Sequence, residues 1–352
     1  MRCFVVVAGA LVPAPLSAAV LAEAQRQGLV PQLERLLARA SVHGYTEMPY
    51  EFARAPHLAW MWKQFSDRDD QPVTAPYVAR ALSPAPLPST QSDVLWHCDP
   101  VHIAFARDHL LLTDLTGAPL QPAETQALLP SAQGAAIEQA AQLTVIGGHW
   151  FLALDPPWNI ETVPLAAALD TSVQDVMPLG EDALRWRKLL TEVQIAWHTH
   201  PVNDARAERG APVVNGLWLH GGGTPIQLDS PFDAVWSEEP VLRGWAQASD
   251  TPAQALADVR APVDGNVLTL LSSLCGPQRR EAWGDWLLAI GEVDRQLGQV
   301  DEIVRRAGGI MELLFFGRSG FTRTTVSSAD RWRLWRKQSL AEVLAEPAQA
   351  MT

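Results

Sequence analysis

Apolar and polar positions divide the chain into short continuous apolar runs and longer segments with helical spacing. Residues 4–7, Phe-Val-Val-Val, form a β-branched run bounded by Gly9, the pattern of a strand buried on both faces. The pattern then predicts helices over 17–27 and 31–40, split by Gly28, with Pro31 opening the second where its missing N–H costs little. Prolines at 72, 76, 84, 86 and 88 interrupt helix interiors and central strands alike, so 72–88 is expected to be a linker. Beyond it, short strand-like runs fall at 101–105, 110–113, 143–146 and 150–154, with turns at Gly117 and at Gly147 and Gly148. A helix over 181–197 places Trp186, Leu189, Leu190, Val193 and Trp197 on one face, and Pro201 stops it. Strands are expected at 213–219 and 267–271, then a long helix from Trp283 to Val304 ending at Gly308 and Gly309, then an apolar strand over Ile310–Phe316.

Long helices that alternate with continuous apolar strands imply an α/β core: a mostly parallel sheet covered by helices on both faces. The core is expected over 1–93 and 196–352, with an inserted α+β cap over 94–195. The basic, aromatic segment RWRLWRK at 331–337 reads as a terminal amphipathic helix docked on the core, or else as a partner-binding helix.

Composition narrows the classes. With 352 residues, 47% hydrophobic and 19% charged, the chain is long enough for two domains and lies in the globular range. Its 27 Lys and Arg against 39 Asp and Glu give a net charge of −12, which opposes binding to nucleic acid or to an anionic membrane. Cysteines at 3, 98 and 275 make neither a disulfide framework nor a Cys-x-x-Cys site, and they are read as reduced and cytoplasmic. The N-terminus shares an apolar run and small residues with secretory signals, yet Pro13 and Pro15 break the run and only Arg2 is basic. A first core strand is therefore expected. No stretch reaches the roughly 18 uninterrupted apolar residues of a membrane span.

The densest polar segment is 197–223, which holds His198, His200, Asn203, Arg206, Arg209 and Asn215. Arginine and asparagine can grip a phosphate or carboxylate, and the glycine run Gly221, Gly222 and Gly223 lets backbone N–H groups approach an anion. The same residues also suit turns and caps on backbone ends. No Gly-Lys-Ser/Thr follows the glycines, so they are not a phosphate-binding P-loop. Around Ser319 there is neither the spacing of a nucleophile elbow nor a downstream histidine. Cys98 lies between His97 and Asp99 with His102 near, but neighbours in a strand point to opposite faces and make no catalytic pair. His198 and His200 lack a third ligand at zinc-site spacing.

The run His200-Pro201-Val202-Asn203, then Arg206, Gly210, Pro212, Asn215-Gly216-Leu217-Trp218 and Gly221 to Gly223 resembles the signature of archaeal-type cofactor-independent phosphoglycerate mutases, members of the alkaline phosphatase superfamily. Upstream, TDLTGAPLQPAETQALL within 110–129 and Met177-Pro178-Leu179-Gly180 are similar to two further segments of that family. Within the group, Asp99-Pro100-Val101-His102 and Glu192-Val193-Gln194 look closest to the bacterial RpfE-type regulatory proteins. The resemblance implies an alkaline-phosphatase-like fold and, in active mutases, a serine nucleophile beside two divalent metals held by Asp and His. Here Val7-Ala8-Gly9-Ala10 stands where the family has a metal-binding Asp, and all nine histidines lie at or before His220. These departures imply a catalytically degenerate protein with a regulatory or ligand-binding role, without a metal, a cofactor or catalytic residues. Its expected ligand is an anionic small molecule, phosphorylated or carboxylated, met by His200, Asn203, Arg206, Asn215, Gly221, Gly222 and Gly223, with Arg206 as the anion partner. Two other readings stay open: an active metal-dependent mutase or phosphotransferase, and an interaction protein using its 14 tryptophans and the 331–337 segment.

Overall fold

The computed structural model describes residues 1–48, 55–83, 94–106, 109–113, 115–169, 171–327 and 339–347; the expected helix at 331–337 lies outside them. The chain divides into two compact units, Met1–Asp70 with Gln227–Thr352, and Gln71–Ile226. The strands are β1 (Arg2–Val7), β2 (Val12–Pro13), β3 (Ser41–Glu47), β4 (Val94–Ala106), β5 (His109–Thr113), β6 (Ala141–Ile146) and β7 (His149–Leu154). They continue as β8 (Gly216–Gly223), β9 (Ala234–Trp236), β10 (Ala253–Gln254), β11 (Asn266–Leu271), β12 (Ile310–Phe316), β13 (Gly320–Ser327) and β14 (Ala345–Glu346).

The first unit is built on a seven-stranded sheet in the order β10-β9-β11-β1-β12-β13-β3. The first five strands run parallel, while β13 and β3 join antiparallel. The continuous apolar run of β1 is explained by its place between β11 and β12, where both faces are covered. Cys3, Val5 and Val7 pack with Leu21, Leu33, Leu36, Trp286, Ile290, Val293 and Leu297 of the helices Ala14–Arg26, Pro31–Leu37 and Trp283–Arg306. On the opposite face the Phe4 and Phe232 rings meet edge to face at 5.6 Å, and Phe65 and Trp62 of Pro56–Ser66 pack on Trp245 of Pro240–Ala248. Buried Asp294 accepts from the N–H groups of Gln32 and Leu33, satisfying orphan donors in the first turn of Pro31–Leu37. The fold is thus mixed α/β with a mostly parallel central sheet. Among the described residues no helix is long and apolar enough to cross a membrane.

The second unit carries an antiparallel sheet in the order β5-β4-β7-β6, with β8 also paired to β4. One face is covered by the helices Pro122–Glu138 and Ala183–His198, whose Leu128, Ala132, Trp186, Leu189, Val193 and Trp197 pack on Trp96, Cys98, Trp150, Leu217 and Leu219. All five residues expected on the apolar face of the 181–197 helix are buried. Two expectations need correction. Within the expected linker 72–88, Ala75–Leu82 is a helix with Tyr77, Val78 and Ala79 buried, because Pro76 sits in the first turn, where no intrahelical N–H is needed. The compact unit Gln71–Ile226 contains the expected insertion 94–195. Strand β8 starts at Gly216, not 213, and pairs with β4 over Val101↔Gly216 to Leu95↔Gly223, which ties 216–223 to the second unit.

Candidate functional site

The residues expected to meet an anion all lie in the second unit, and the side chains of Asn203, Arg206, Asn215 and His200 bond to the protein there. Arg206 is 0% exposed. Its Nε donates to the Pro212 carbonyl at 2.7 Å, Nη1 to Glu124 Oε2 at 3.0 Å, and Nη2 to the Ala118 carbonyl. Three of its five N–H donors are thus bonded within the protein, in a side chain closed to solvent. Asn203 donates to the carbonyls of Trp197 and Val214, and its Oδ1 accepts from Val214 N at 2.7 Å. Asn215 imitates a strand partner: its side chain accepts from Ile103 N and donates to Ile103 O. His200 is the N-cap of Pro201–Glu208, its Nδ1 accepting from Val202 N at 3.2 Å.

The glycine run is likewise a packing device. A Cβ at Gly222 would stand 1.8 Å from the Trp96 indole, and one at Gly221 would stand 2.2 Å from Thr74 Oγ1. At Gly223 the nearest obstacle would be Val73, at 2.8 Å. Gly221 O also accepts from Thr74 N at 2.9 Å, so the run seats the start of Ala75–Leu82 against the sheet.

In open α/β sheets ligands bind outside the carboxyl ends of the parallel strands, so the first unit's strand ends are the place to test for the paired dications. After β1 come Ala8, Gly9, Ala10 and Leu11, with no carboxylate. Gly9 has φ +78°, and a Cβ there would lie 2.6 Å from the Cys275 backbone, while the Trp286 indole donates to Gly9 O at 2.9 Å. Beyond β12, Glu346 accepts from the N–H groups of Arg318 and Ser319 and from Ser319 Oγ, and Tyr45 Oη lies 2.8 Å from Ser319 Oγ. Among the described residues no three His, Cys, Asp or Glu side chains converge on a metal position. These strand ends do not fit a two-metal centre, which needs several carboxylates and imidazoles. What they do form is a 380 Å³ crevice beyond β9 and β11, lined by Trp236, Ser237, Glu239, Ser272, Arg295 and Gln299 among others. Ser272 Oγ donates to Glu239 there, and Arg295 is paired with Glu292.

A second constellation, in the second unit, was not visible from spacing alone. His220 on β8 stands opposite His97 on β4, which stands opposite Phe151 on β7. The three rings form a row across the sheet: His97 stacks on His220 at 4.9 Å with 21° between planes, and lies 5.2 Å from Phe151. Asp99, two residues along the same face of β4, is the diagonal neighbour of His220, and its Oδ2 lies 2.7 Å from His220 Nε2. Burial lowers the His97 pKa to about 3, aided by the His220 charge, so this ring is neutral, and its Nδ1 is buried without a hydrogen-bond partner. Burial alone would raise the Asp99 carboxyl, but the hydrogen bond and charge of His220, with His97 and His149, hold it below its usual value. Cys98 points to the other face, into the apolar core. Burial and then the Asp99 charge push its thiol well above the ordinary range, so it is no nucleophile. The signal in the sequence was His97-Cys98-Asp99; its partner is 121 residues away and became adjacent only through the β4–β8 register.

No protein-family profile matches the chain. A "Probable 2,3-bisphosphoglycerate-independent phosphoglycerate mutase" of Geobacter sulfurreducens is 26% identical over 141 residues, 40% of this chain and 35% of that protein. The chain thus spans about a third of the length of the curated relative it matches. Among solved structures, the PH0037 protein from Pyrococcus horikoshii superposes with a TM-score of 0.50 at 12% identity, over 97% of this chain and 91% of that one. This likeness shows a shared fold. The cofactor-independent phosphoglycerate mutase from Thermoplasma acidophilum is more distant, with a TM-score of 0.38 at 13% identity over 99% of this chain and 95% of that one.

Proposed function

We propose that this chain is a phosphoglycerate-mutase-like protein that has given up two-metal phosphoryl transfer and keeps a ligand-binding, regulatory role of the RpfE type. One observation carries the reading: the turn after β1 is closed by Gly9 against the Cys275 backbone, where the family resemblance calls for a metal-binding aspartate. Protein backbone occupies the space, and apolar side chains cannot offset the charge of paired dications. The similarity to a mutase over 141 residues supports the kinship, and the strand-end crevice offers the ligand a place with an apolar floor and hydrogen-bonding walls. Because Arg206 is buried and bonded within the protein, the reading favours that crevice over the 197–223 segment as the ligand's place.

Metal analysis and a mutase assay test the proposal together. The purified protein is expected to hold no stoichiometric Mn²⁺ or Zn²⁺, to keep its melting temperature in chelator, and to show no interconversion of 2- and 3-phosphoglycerate with Mn²⁺ added. Turnover abolished by chelator and restored by Mn²⁺ would return the chain to the active mutases.

A further inference from the structure

We propose that His220 and Asp99 form a carboxylate-oriented imidazole whose Nδ1 takes a proton from a neutral hydroxyl group or a water molecule bound at this face of the second unit. The geometry that supports this is independent of the strand-end crevice. His220 Nε2 is held at 2.7 Å by Asp99 Oδ2, and a carboxylate accepts only, so in the neutral ring Nε2 carries the proton and Nδ1 presents a lone pair. Nδ1 has no partner among the described residues and is not among the buried orphan atoms, while the His220 side chain is 16% exposed. The ring plane is fixed from one side by His97 and, beyond it, Phe151. An imidazole with one nitrogen tied to a carboxylate and the other available is the arrangement that lets histidine act as a general base.

The surroundings select the donor. Asp99 Oδ2 meets His220 Nε2, and the groups acting on Asp99 and His97 are these two residues, His220 and His149. The Asp99 carboxylate beside the ring disfavours an anionic ligand and suits a neutral O–H. Stacked rings 21° apart direct their lone pairs outward in nearly parallel planes, so they do not converge on a metal ion. In the proton transfer the O–H bond breaks, an Nδ1–H bond forms and the oxygen keeps the electron pair. The resulting imidazolium lies against the Asp99 carboxylate, which makes Asp99 a positioning residue and His220 the proton acceptor.

Nitrogen-15 spectra of the imidazoles in the wild-type protein provide the first test: His220 is expected as the Nε2–H tautomer, and a proton on Nδ1 overturns the proposal. Diethyl pyrocarbonate supplies the second, with modification followed residue by residue by mass spectrometry and exposed His198 as internal reference. Asp99→Asn, whose amide donates to Nε2 and reverses the tautomer, is expected to slow modification of His220 roughly tenfold or more. An unchanged rate sinks the assignment, and should this variant fail to fold, the wild-type spectra alone decide. Finally, the Nδ1 resonance is expected to move on titration with trifluoroethanol and to stay put with inorganic phosphate at equal ionic strength; the reverse response refutes the neutral O–H donor. All of these readouts are indifferent to metal content and mutase turnover.

Discussion

Arg206 shows how a residue suited to ligand recognition becomes part of the framework. Its guanidinium joins the loop carbonyls of Ala118 and Pro212 to Glu124, which also receives Arg209. Removing it leaves two carbonyls and a carboxylate each short of a partner where the guanidinium was fully buried. Arg206→Ala is accordingly expected to cost about 3 kcal/mol or more, read as a lower urea midpoint of the full chain. Arg206→Lys recovers only part of this, since an ammonium cannot span three acceptors with planar geometry. Whether such side chains bond inward or outward is not written in their spacing. The segment 197–223 was legible as a polar cluster, but the consumption of its donors depends on Ala118 and Glu124, more than 80 residues away.

Among the elements, those readable in the sequence had a single strong cause. β1, β11 and β12 are continuous apolar runs because parallel central strands are covered on both faces, and Trp283–Arg306 has a long apolar stripe. Elements that mix signals were missed. β13, with the sequence GFTRTTVS, and β3 are partly polar antiparallel strands at the sheet margin, and Pro122–Glu138 carries Pro130 inside it. The margin also holds a buried charge. Glu312 on β12 is 1% exposed and accepts from Arg2 on β1 and from Arg323 and Thr325 on β13. Its burial would raise the carboxyl, but the bonds from Arg323, Arg2 and Thr325 hold it below the usual range. Glu312→Gln is expected to cost about 2 kcal/mol at pH 7. The difference from wild type should shrink on acidification, because a carboxylate with a depressed folded pKa loses its stabilisation as pH falls through that value. Urea titrations of both proteins at pH 7 and pH 3.5 check this.

For the molecule as a whole, two buried histidines, one in each unit, add to the acid limb of stability. His57 is lowered to about 3 by burial and then by the Arg279 charge, and His97 to about 3 by burial and its neighbours. Both are neutral in the fold, whereas in the unfolded chain they bind protons near pH 6.5. Stability is therefore complete above that value and declines as pH falls toward 3, by about 1.4 kcal/mol per pH unit for each histidine. A urea midpoint that drops steadily between pH 6 and pH 4, with a shallower slope in His57→Gln, is the expected outcome. A flat profile would show that these rings protonate without unfolding.

The placement of β1 has a further consequence during synthesis. Both of its neighbours in the sheet come from the last third of the chain, Val5 lying beside Thr269 and Leu313. On the ribosome the opening hydrophobic strand must wait unpaired for more than 250 residues, while Gln71–Ile226, contiguous in sequence, has emerged with all its strands in between. Such delayed, long-range closure is slow and exposes a sticky edge. Production of this protein should accordingly depend on chaperones that shield the unpaired β1, and a circular permutant opening within the second unit, with β1 translated after β12, should relieve that dependence.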